Sequence, residues 1–360
     1  MERVLANKVN YLAKHGYEIT IVTTDQKDRK SYFQMDSTVR HIDLGINYTD
    51  DLDKGFLVRI GAILTKNILH KRRLKQVLNK VSPDITISMF DNDASFITNF
   101  KDGSKKVLEI HFSRYKRLQY GRRGIWKLID SFQNKLDIYT VKKFDRFIVL
   151  TEEDKGYWGN LSNIEVIPNA NSFETESQAS LENNQILAIG RLDYQKGFDN
   201  LLHIWSKINH KFPNWKLNIY GKGPLKSDLQ NLIKSLNLHN SVSLNKPVKD
   251  VRSIYKSHSI LVLTSRYEGL PMVLLEAQVC GLPVVSFACK CGPRDIIRDG
   301  INGFLIPEAN FDLFAHKLGI LMGDESLRKK MGNQAFENSE RFSVNGIMKK
   351  WIELFNSILK

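Results

Sequence analysis

Short apolar runs alternate along the chain with longer segments in which apolar residues recur at helical spacing. Each short run predicts a buried strand, and each periodic segment predicts an amphipathic helix. The predicted strands are 17–23, 39–44, 85–89, 106–110, 146–150, 164–167, 186–189, 215–220, 242–244, 260–263 and 282–287. The predicted helices run through 4–12, 57–78, 92–98, 122–141, 248–255 and 272–279, with three more that start near 311, 326 and 344. This alternation favours an α/β fold, with helices on both faces of parallel sheets.

A polar stretch rich in Ser, Glu and Asn interrupts the alternation at 171–184 and predicts a linker. A chain of 360 residues is long enough for two domains. We therefore expect domains at 1–170 and 185–340, followed by a final segment at 341–360. That final segment carries an apolar stripe suited to packing on another element: Trp351, Leu354, Phe355 and Ile358.

Two glutamates follow the apolar run at 260–263. Gly269 breaks the chain after that run, and Pro271 suits the first turn of the helix that follows. Glu268 therefore lies in a strand-to-helix loop, and Glu276 lies on the helix. Ligands of open α/β sheets bind at such loops, and both carboxylates can accept hydrogen bonds from the hydroxyls of a sugar or ribose. The alternative is a loop before an ordinary helix, with no ligand.

A second strand-to-helix loop, after the run at 186–189, is basic. Gly190 permits a tight turn, and Arg191 and Lys196 bring two cations to the mouth of the sheet. A helix N-terminus points to the same place, so the loop is suited to a diphosphate. A basic loop without a ligand is the alternative interpretation.

These segments resemble the motifs of glycosyltransferase family 4, the retaining enzymes of GT-B fold. The resemblance covers nearly the whole chain and is most specific over 167–306. Its blocks are Glu268-Gly-Leu-Pro followed by Glu276, Gly190-Arg-Leu followed by Lys196-Gly, Gly221-x-Gly-Pro, and Asn302-Gly-Phe-Leu. It implies two Rossmann-like, doubly wound domains that face a crevice, with the segment 341–360 crossing back to the first domain.

The resemblance also implies roles for particular residues. Glu268 would contact the donor sugar, Glu276 the nucleotide ribose, and Arg191 and Lys196 the diphosphate as it leaves. The donor-binding set is then Gly190, Arg191, Lys196, Glu268, Gly269, Leu270, Val273 and Glu276. The catalytic set is Arg191, Lys196, Glu268 and His111. The donor would be a nucleotide-diphosphate sugar of UDP or GDP type, and no separate cofactor is expected.

Two positions in the first half could carry chemistry. His111 follows the end of a predicted strand, and in the resembling enzymes a histidine at this place lies beside the reacting sugar; the alternative is a surface-loop histidine. Asp91-x-Asp93 resembles the metal-binding pair of a different glycosyltransferase fold. Such a metal needs further oxygen ligands, and the pair fits the start of the helix at 92–98 better, so we predict no metal.

The start of the chain departs from the family pattern. Family members usually begin with an apolar strand and a Gly-Gly turn just before the equivalent of Glu2-Arg3-Val4, and this sequence has neither. That strand would be central in a doubly wound sheet. We therefore expect a gap or a displaced strand in the sheet of the first domain.

The net charge of +14 implies an anionic partner, either a lipid surface or nucleic acid. One basic cluster is 71–75, and a second, at 105–127, is interleaved with Tyr115, Tyr120 and Trp126. The second is typical of a membrane interface, although a solvated basic face would look the same. Three cysteines, the absence of a signal peptide and the lack of any apolar run of ~20 residues suggest a cytoplasmic protein. The basic clusters add the expectation of a peripheral position on the inner face of the plasma membrane.

The sequence thus predicts a retaining, metal-independent glycosyltransferase. Its acceptor would be a saccharide, lipid-linked by family analogy, in the synthesis of a bacterial surface polysaccharide. A sugar-nucleotide epimerase of the same fold is the nearest alternative and would form product from donor alone. A nucleic-acid-binding protein would explain the charge but not the two glutamates, so no nucleic acid is expected. A catalytically inactive binding protein stays open.

Overall fold

A computed structural model describes residues 2–27, 29–51, 55–114 and 125–360, except the side chains of 56–60 and 125–129. Its first half begins with α1 (Glu2–Lys14), β1 (Thr20–Thr23), β2 (Arg40–Asp43), α2 (Phe56–Val81), β3 (Ile85–Ser88) and β4 (Lys105–Glu109). It continues with α3 (Ile125–Val141), β5 (Arg146–Val149), α4 (Glu152–Trp158) and β6 (Ile164–Val166). Most of the basic and aromatic run from Arg114 to Lys127 lies outside the described residues.

The strands of the first half form two separate parallel sheets, β1-β2 and β3-β4-β5-β6. Within the described ranges, no strand pairing joins β1 to β3, which agrees with the expected gap. All four residues of β1 and the first three of β3 are only half-buried, whereas β4 and β5 are buried beyond their first residue. The strands that flank the gap, β1 and β3, are thus more accessible to solvent than β4 and β5.

The second half forms one sheet. Its elements are β7 (Gln185–Ile189), α5 (Phe198–Ile208), β8 (Lys216–Tyr220), α6 (Lys226–Ser235), β9 (Val242–Asn245), α7 (Val251–Lys256), β10 (Ile260–Leu263), α8 (Met272–Val279), β11 (Val284–Phe287), α9 (Pro293–Ile296) and β12 (Gly303–Ile306). The strands are parallel in the order β12-β11-β10-β7-β8-β9. The chain therefore reverses its winding between β7 and β10, the switch point at which doubly wound sheets bind ligands.

Three helices complete the chain: α10 (Phe311–Gly323), α11 (Glu325–Ser339) and α12 (Val344–Leu359). The apolar stripe of α12 packs against strands of the first half, where Trp351 and Phe355 share a buried cluster with Val107 and Ile148. This helix passes back to the first half because its stripe is buried there rather than against the second sheet.

Two stretches of chain join the halves, and they lie side by side. The backbone N–H of Asn171 donates to the carbonyl of Phe342 at 2.8 Å. The Asn171 side chain also donates to the carbonyl of Ser339 at 3.0 Å. The outgoing and returning connections are thus hydrogen-bonded to each other.

Two local predictions were wrong, and one segment is more closely packed than its composition indicates. The helix at 92–98 is replaced by two short 3₁₀ turns, Asn92–Ser95 and Ile97–Asn99. The helix expected from 248 begins at Val251, because Asp250 caps it by accepting from the N–H of Ser253. The segment 171–184 is more than a polar linker, since Ala179 and Leu181 are buried against the second half.

Candidate active site

The loop after β7 is shaped by close backbone packing. A Cβ atom on Gly221, in the loop after β8, would lie 2.0 Å from the carbonyl oxygen of Gly190. No side chain fits there, so the Gly-x-Gly-Pro loop supports the turn at Gly190 by backbone contact. Leu192 is buried beneath this turn, and the side chain of Arg191 points outward with 70% of its surface exposed.

A cation and a carboxylate meet at the switch point. Nζ of Lys196, from the loop after β7, lies 2.6 Å from Oε1 of Glu268, from the loop after β10. Both side chains are largely buried, and Gln195 donates from Nε2 to the carbonyl of Tyr267 beside them. The structure therefore brings together two residues that the sequence placed 72 positions apart. Arg191 is not part of this pair and contacts Asp193 instead, at 2.9 Å.

Glu276 lies on α8, is also buried, and has partners from both halves of the chain. The hydroxyl of Tyr255 donates to its Oε2 at 2.7 Å, and Nη1 of Arg3 lies 3.4 Å from its Oε1. Burial raises the pKa of the Glu276 carboxyl against the opposing effect of hydrogen bonds from Ser172 and Tyr255. The contact from Arg3 to Oε1 is thus longer than the one from Tyr255 to Oε2.

His111 approaches the same crevice from the first half. A Cβ on Gly269 would lie 2.6 Å from the carbonyl oxygen of His111, so the two loops touch directly. Gly269 follows Glu268, and this contact places His111 beside the loop of the Lys196–Glu268 pair. Leu270 is buried and Val273 is half-buried on the helix that follows.

A buried ion pair lies behind His111. Nε2 of His111 is 3.3 Å from Oε1 of Glu109, whose two oxygens accept from Nζ of Lys8 at 2.7 and 2.6 Å. Burial alone would raise the pKa of Glu109, but Lys8 and His111 outweigh it and lower the pKa to about 2. The Lys8 ammonium also lies 3.7 Å from the ring centre of Trp351 on α12.

Sequence reasoning missed Arg3, Lys8, Glu109 and Tyr255 as members of this region. Their roles come from partners between 21 and 273 residues away, and no local spacing reports such contacts. The one usable signal was a charged residue at an inward-facing position, such as Glu109 in the apolar strand β4.

Three further features bear on the chemistry. Asp91 caps a 3₁₀ turn by accepting from the N–H of Asn92, and among the described residues no three His, Cys, Asp or Glu side chains converge as a metal would require. Cys280, Cys289 and Cys291 are free and buried, and burial raises the pKa of each thiol. No helix within the described ranges has both the length and the apolarity to cross a bilayer.

Two doubly wound units with a polar site at the switch point, closed by a helix that returns to the first unit, define the GT-B class of fold. Family models agree with this assignment. Residues 171–338 match the model for glycosyl transferases group 1, and residues 1–171 match that for Glycosyltransferase Family 4. An uncharacterized glycosyltransferase of Haemophilus influenzae is 30% identical over 97% of this chain and 94% of its own length. The chain belongs to the GT-B glycosyltransferases.

Two other relatives differ in how much of their length matches. The amylovoran biosynthesis glycosyltransferase AmsD of Erwinia amylovora is 36% identical over 62% of this chain and 65% of its own length. The GalNAc-alpha-(1->4)-GalNAc-alpha-(1->3)-diNAcBac-PP-undecaprenol alpha-1,4-N-acetyl-D-galactosaminyltransferase of Campylobacter jejuni is 26% identical over 99% of this chain and 95% of its own length.

A solved structure of S. aureus TarM, a mutant in complex with fondaparinux, alpha-GlcNAc-glycerol and UDP, superposes with a TM-score of 0.67 at 27% identity. It covers 79% of this chain, and the match spans 58% of the TarM chain. The chain thus spans less than two thirds of the length of AmsD and of TarM.

Proposed function

We propose that this protein transfers a sugar from a nucleoside-diphosphate donor to a saccharide acceptor, with retention at the anomeric carbon. The observation that carries the proposal is the pairing of Lys196 with Glu268 at the switch point between β7 and β10. A cation there can bind a diphosphate, and a carboxylate there can bind sugar hydroxyls. The UDP in the TarM complex supports a nucleotide donor of UDP type, with GDP as the alternative base.

In the proposed reaction, the bond between the anomeric carbon and the diphosphate oxygen breaks. An acceptor hydroxyl bonds to that carbon from the same face, and its proton passes to the departing phosphate oxygen. Lys196 and Arg191 neutralise the negative charge that grows on the leaving group, so the step needs no metal ion. Arg191 is suited to this role because its side chain is mostly exposed and can turn toward a bound diphosphate.

The other predicted residues orient the donor. Glu268 holds the sugar, Oε1 of Glu276 accepts from the ribose in place of Arg3, and His111 contacts the reacting sugar from the opposite side of the crevice. Closure of the crevice around the donor would exclude water and limit hydrolysis. We also propose that the protein belongs to glycosyltransferase family 4, because its sequence carries the motifs that resemble those of that family.

The acceptor is proposed to be lipid-linked, and the product a bacterial surface polysaccharide. The Campylobacter relative, whose name specifies an undecaprenol-linked saccharide, and the Erwinia relative, named for amylovoran biosynthesis, support this class of acceptor. We therefore also propose a cytoplasmic location, peripheral on the inner face of the plasma membrane, where anionic lipid would suit the net charge of +14.

The direct experiment has two stages. A panel of UDP and GDP sugars is screened by thermal shift, since a ligand at a hundredfold its Kd adds ~2.7 kcal/mol of stability. The stabilising donor is then incubated with and without saccharide acceptors, and NMR assigns the anomeric configuration of the product. Product formed from the donor alone would identify an epimerase, and inversion would refute the retaining mechanism.

Replacing Glu276 with glutamine is expected to weaken donor affinity more than it slows the bound complex. The ribose keeps its hydrogen bonds throughout the reaction, so their loss affects the ground state and the transition state alike. The measurements are nucleotide-sugar Kd by calorimetry, and kcat with saturating donor. Tyr255→Phe is the matched control, since it removes the partner of Oε2 and keeps the carboxylate. Unfolding of Glu276→Gln, without a selective loss of donor binding, would contradict the ribose assignment.

A further inference from the structure

Two helices of the first half carry exposed apolar side chains on surfaces that no other described element covers. On α2, Leu64 and Ile68 are 61% and 69% exposed. On α3, Phe132, Leu136 and Tyr139 are 62%, 46% and 67% exposed. A single exposed apolar residue is ordinary, but grouped ones mark a surface that contacts something other than water.

The two groups have the same spacing along the helix and the same order of side-chain types. Each follows the positions i, i+4, i+7 and i+11, which lie on one side of a helix. Each begins with apolar residues and ends with lysine. The two stripes are Leu64, Ile68, Lys71 and Lys75 on α2, and Phe132, Leu136 and Tyr139 on α3 with Lys143 two residues beyond its end, all of them exposed.

Both stripes belong to the same layer of the protein. Leu74 of α2 and Val141 of α3 pack with Leu108 on one face of the four-stranded sheet, whereas Val107 faces α1 and α12 on the other. Each helix leads into a strand of that parallel sheet, so the two helices run in the same direction. Their apolar ends therefore lie toward the crevice edge of the sheet, and their lysines lie toward the opposite edge.

We propose that this lipid-docking face, made of the two stripes, binds the surface of an anionic bilayer. Leucine, isoleucine, phenylalanine and tyrosine would enter the boundary between headgroups and acyl chains, and the lysines would meet anionic headgroups. The lysines select a bilayer over a second copy of this chain, since self-association would gather the lysines of both copies in one interface. The inference rests on the proposed function in one respect: a lipid-linked acceptor would explain why the protein binds a membrane.

The test is flotation with vesicles of equal parts phosphatidylcholine and phosphatidylglycerol, and with vesicles of phosphatidylcholine alone. We expect binding to the anionic vesicles that weakens as salt rises. The triple variant Lys71→Glu, Lys75→Glu and Lys143→Glu should lower the partition coefficient on the order of 10²-fold or more, from roughly fivefold per basic residue. The pair Ile68→Gln and Leu136→Gln should lower it by about tenfold through lost apolar insertion.

Matched controls come from the second half and from α12. Lys330, Lys349 and Lys350 are exposed, and their replacement by glutamate makes the same change in net charge. Val248 and Ile301 are exposed apolar residues for the pair of glutamine substitutions. Equal losses in stripe and control variants would overturn the proposal, as would failure of the wild-type chain to bind anionic vesicles. A dimer that the apolar pair dissociates, with no vesicle binding, would assign the face to self-association instead.

Donor binding is measured on the same variants by thermal shift. It should be unchanged in all of them, because both stripes lie outside the Lys196–Glu268 site. Vesicle binding without any response to nucleotide sugars would refute the proposed function and leave the lipid-docking face intact.

Discussion

Replacing Lys196 with alanine is expected to slow turnover on the order of 10²-fold, by analogy with the loss of an oxyanion-stabilising donor. The Lys196 ammonium lies at the switch point with only 15% of its side chain exposed, so its charge acts where water screens it weakly. The charge on the leaving diphosphate grows most in the transition state. The substitution should therefore lower kcat and kcat/KM together.

The measurement is initial rate against donor concentration, with the melting temperature of each variant recorded in parallel. Lys211→Ala is the matched control, because Lys211 is exposed and lies at the far end of α5 from the site. Lys196→Arg should recover part of the rate, since it restores a cation with different geometry. A folded Lys196→Ala that turns over at nearly the normal rate would refute the leaving-group role.

The second large effect is on stability. Glu109→Ala is expected to cost about 3–5 kcal/mol, because it leaves the ammonium of Lys8 buried without its carboxylate. Both residues are nearly inaccessible to solvent, and the Lys8 ammonium also lies against the face of Trp351. The free energy of unfolding is measured by urea titration at neutral pH.

A double-mutant cycle measures the coupling energy between Lys8 and Glu109 separately from their interactions with other residues. Lys8→Met combined with Glu109→Gln removes both charges and should recover much of the stability that either single substitution loses. Costs of the two single substitutions that simply add would contradict the coupling. The activity of the double variant then reports whether His111 needs Glu109 as its neighbour, independently of folding.

The same pair predicts a pH dependence with a definite sign. The pKa of Glu109 is about 2 in the folded protein, against an ordinary value of 4.5. A depressed carboxyl pKa contributes stability above the unfolded value, and this contribution is lost as pH falls from about 4.5 toward 2. Glu109→Gln should therefore lose less stability than the wild type across that range, as urea titrations at successive pH values would measure.

The central strands of the second half were predictable from sequence because β10 and β11 are buried on both faces. A buried parallel strand is a continuous apolar run, and Ile260–Leu263 shows this plainly. The loops that follow such strands are equally visible, which is why Lys196 and Glu268 could be named in advance. Their pairing at 2.6 Å follows from the strand order, in which β7 and β10 are neighbours.

Contacts between the halves were not predictable in the same way. Arg3 reaches Glu276 only because α1 and α8 lie on either side of the crevice, and nothing near Arg3 in sequence indicates this. The packing of segment 171–184 was missed for a different reason. The segment is polar on average, but two of its side chains, Ala179 and Leu181, are buried. Composition averages over a segment, whereas packing depends on single positions.

The paired connections between the halves have a mechanical consequence. Two chain crossings tied to each other at Asn171 and Phe342 act as the two leaves of one hinge, and together they define an axis. We expect rotation about that axis to open or close the crevice edge that carries His111 and Gly269, since sliding of one half along the other would break the hydrogen bonds between the two connections. The separation of Cα atoms across the crevice should then vary with one angle.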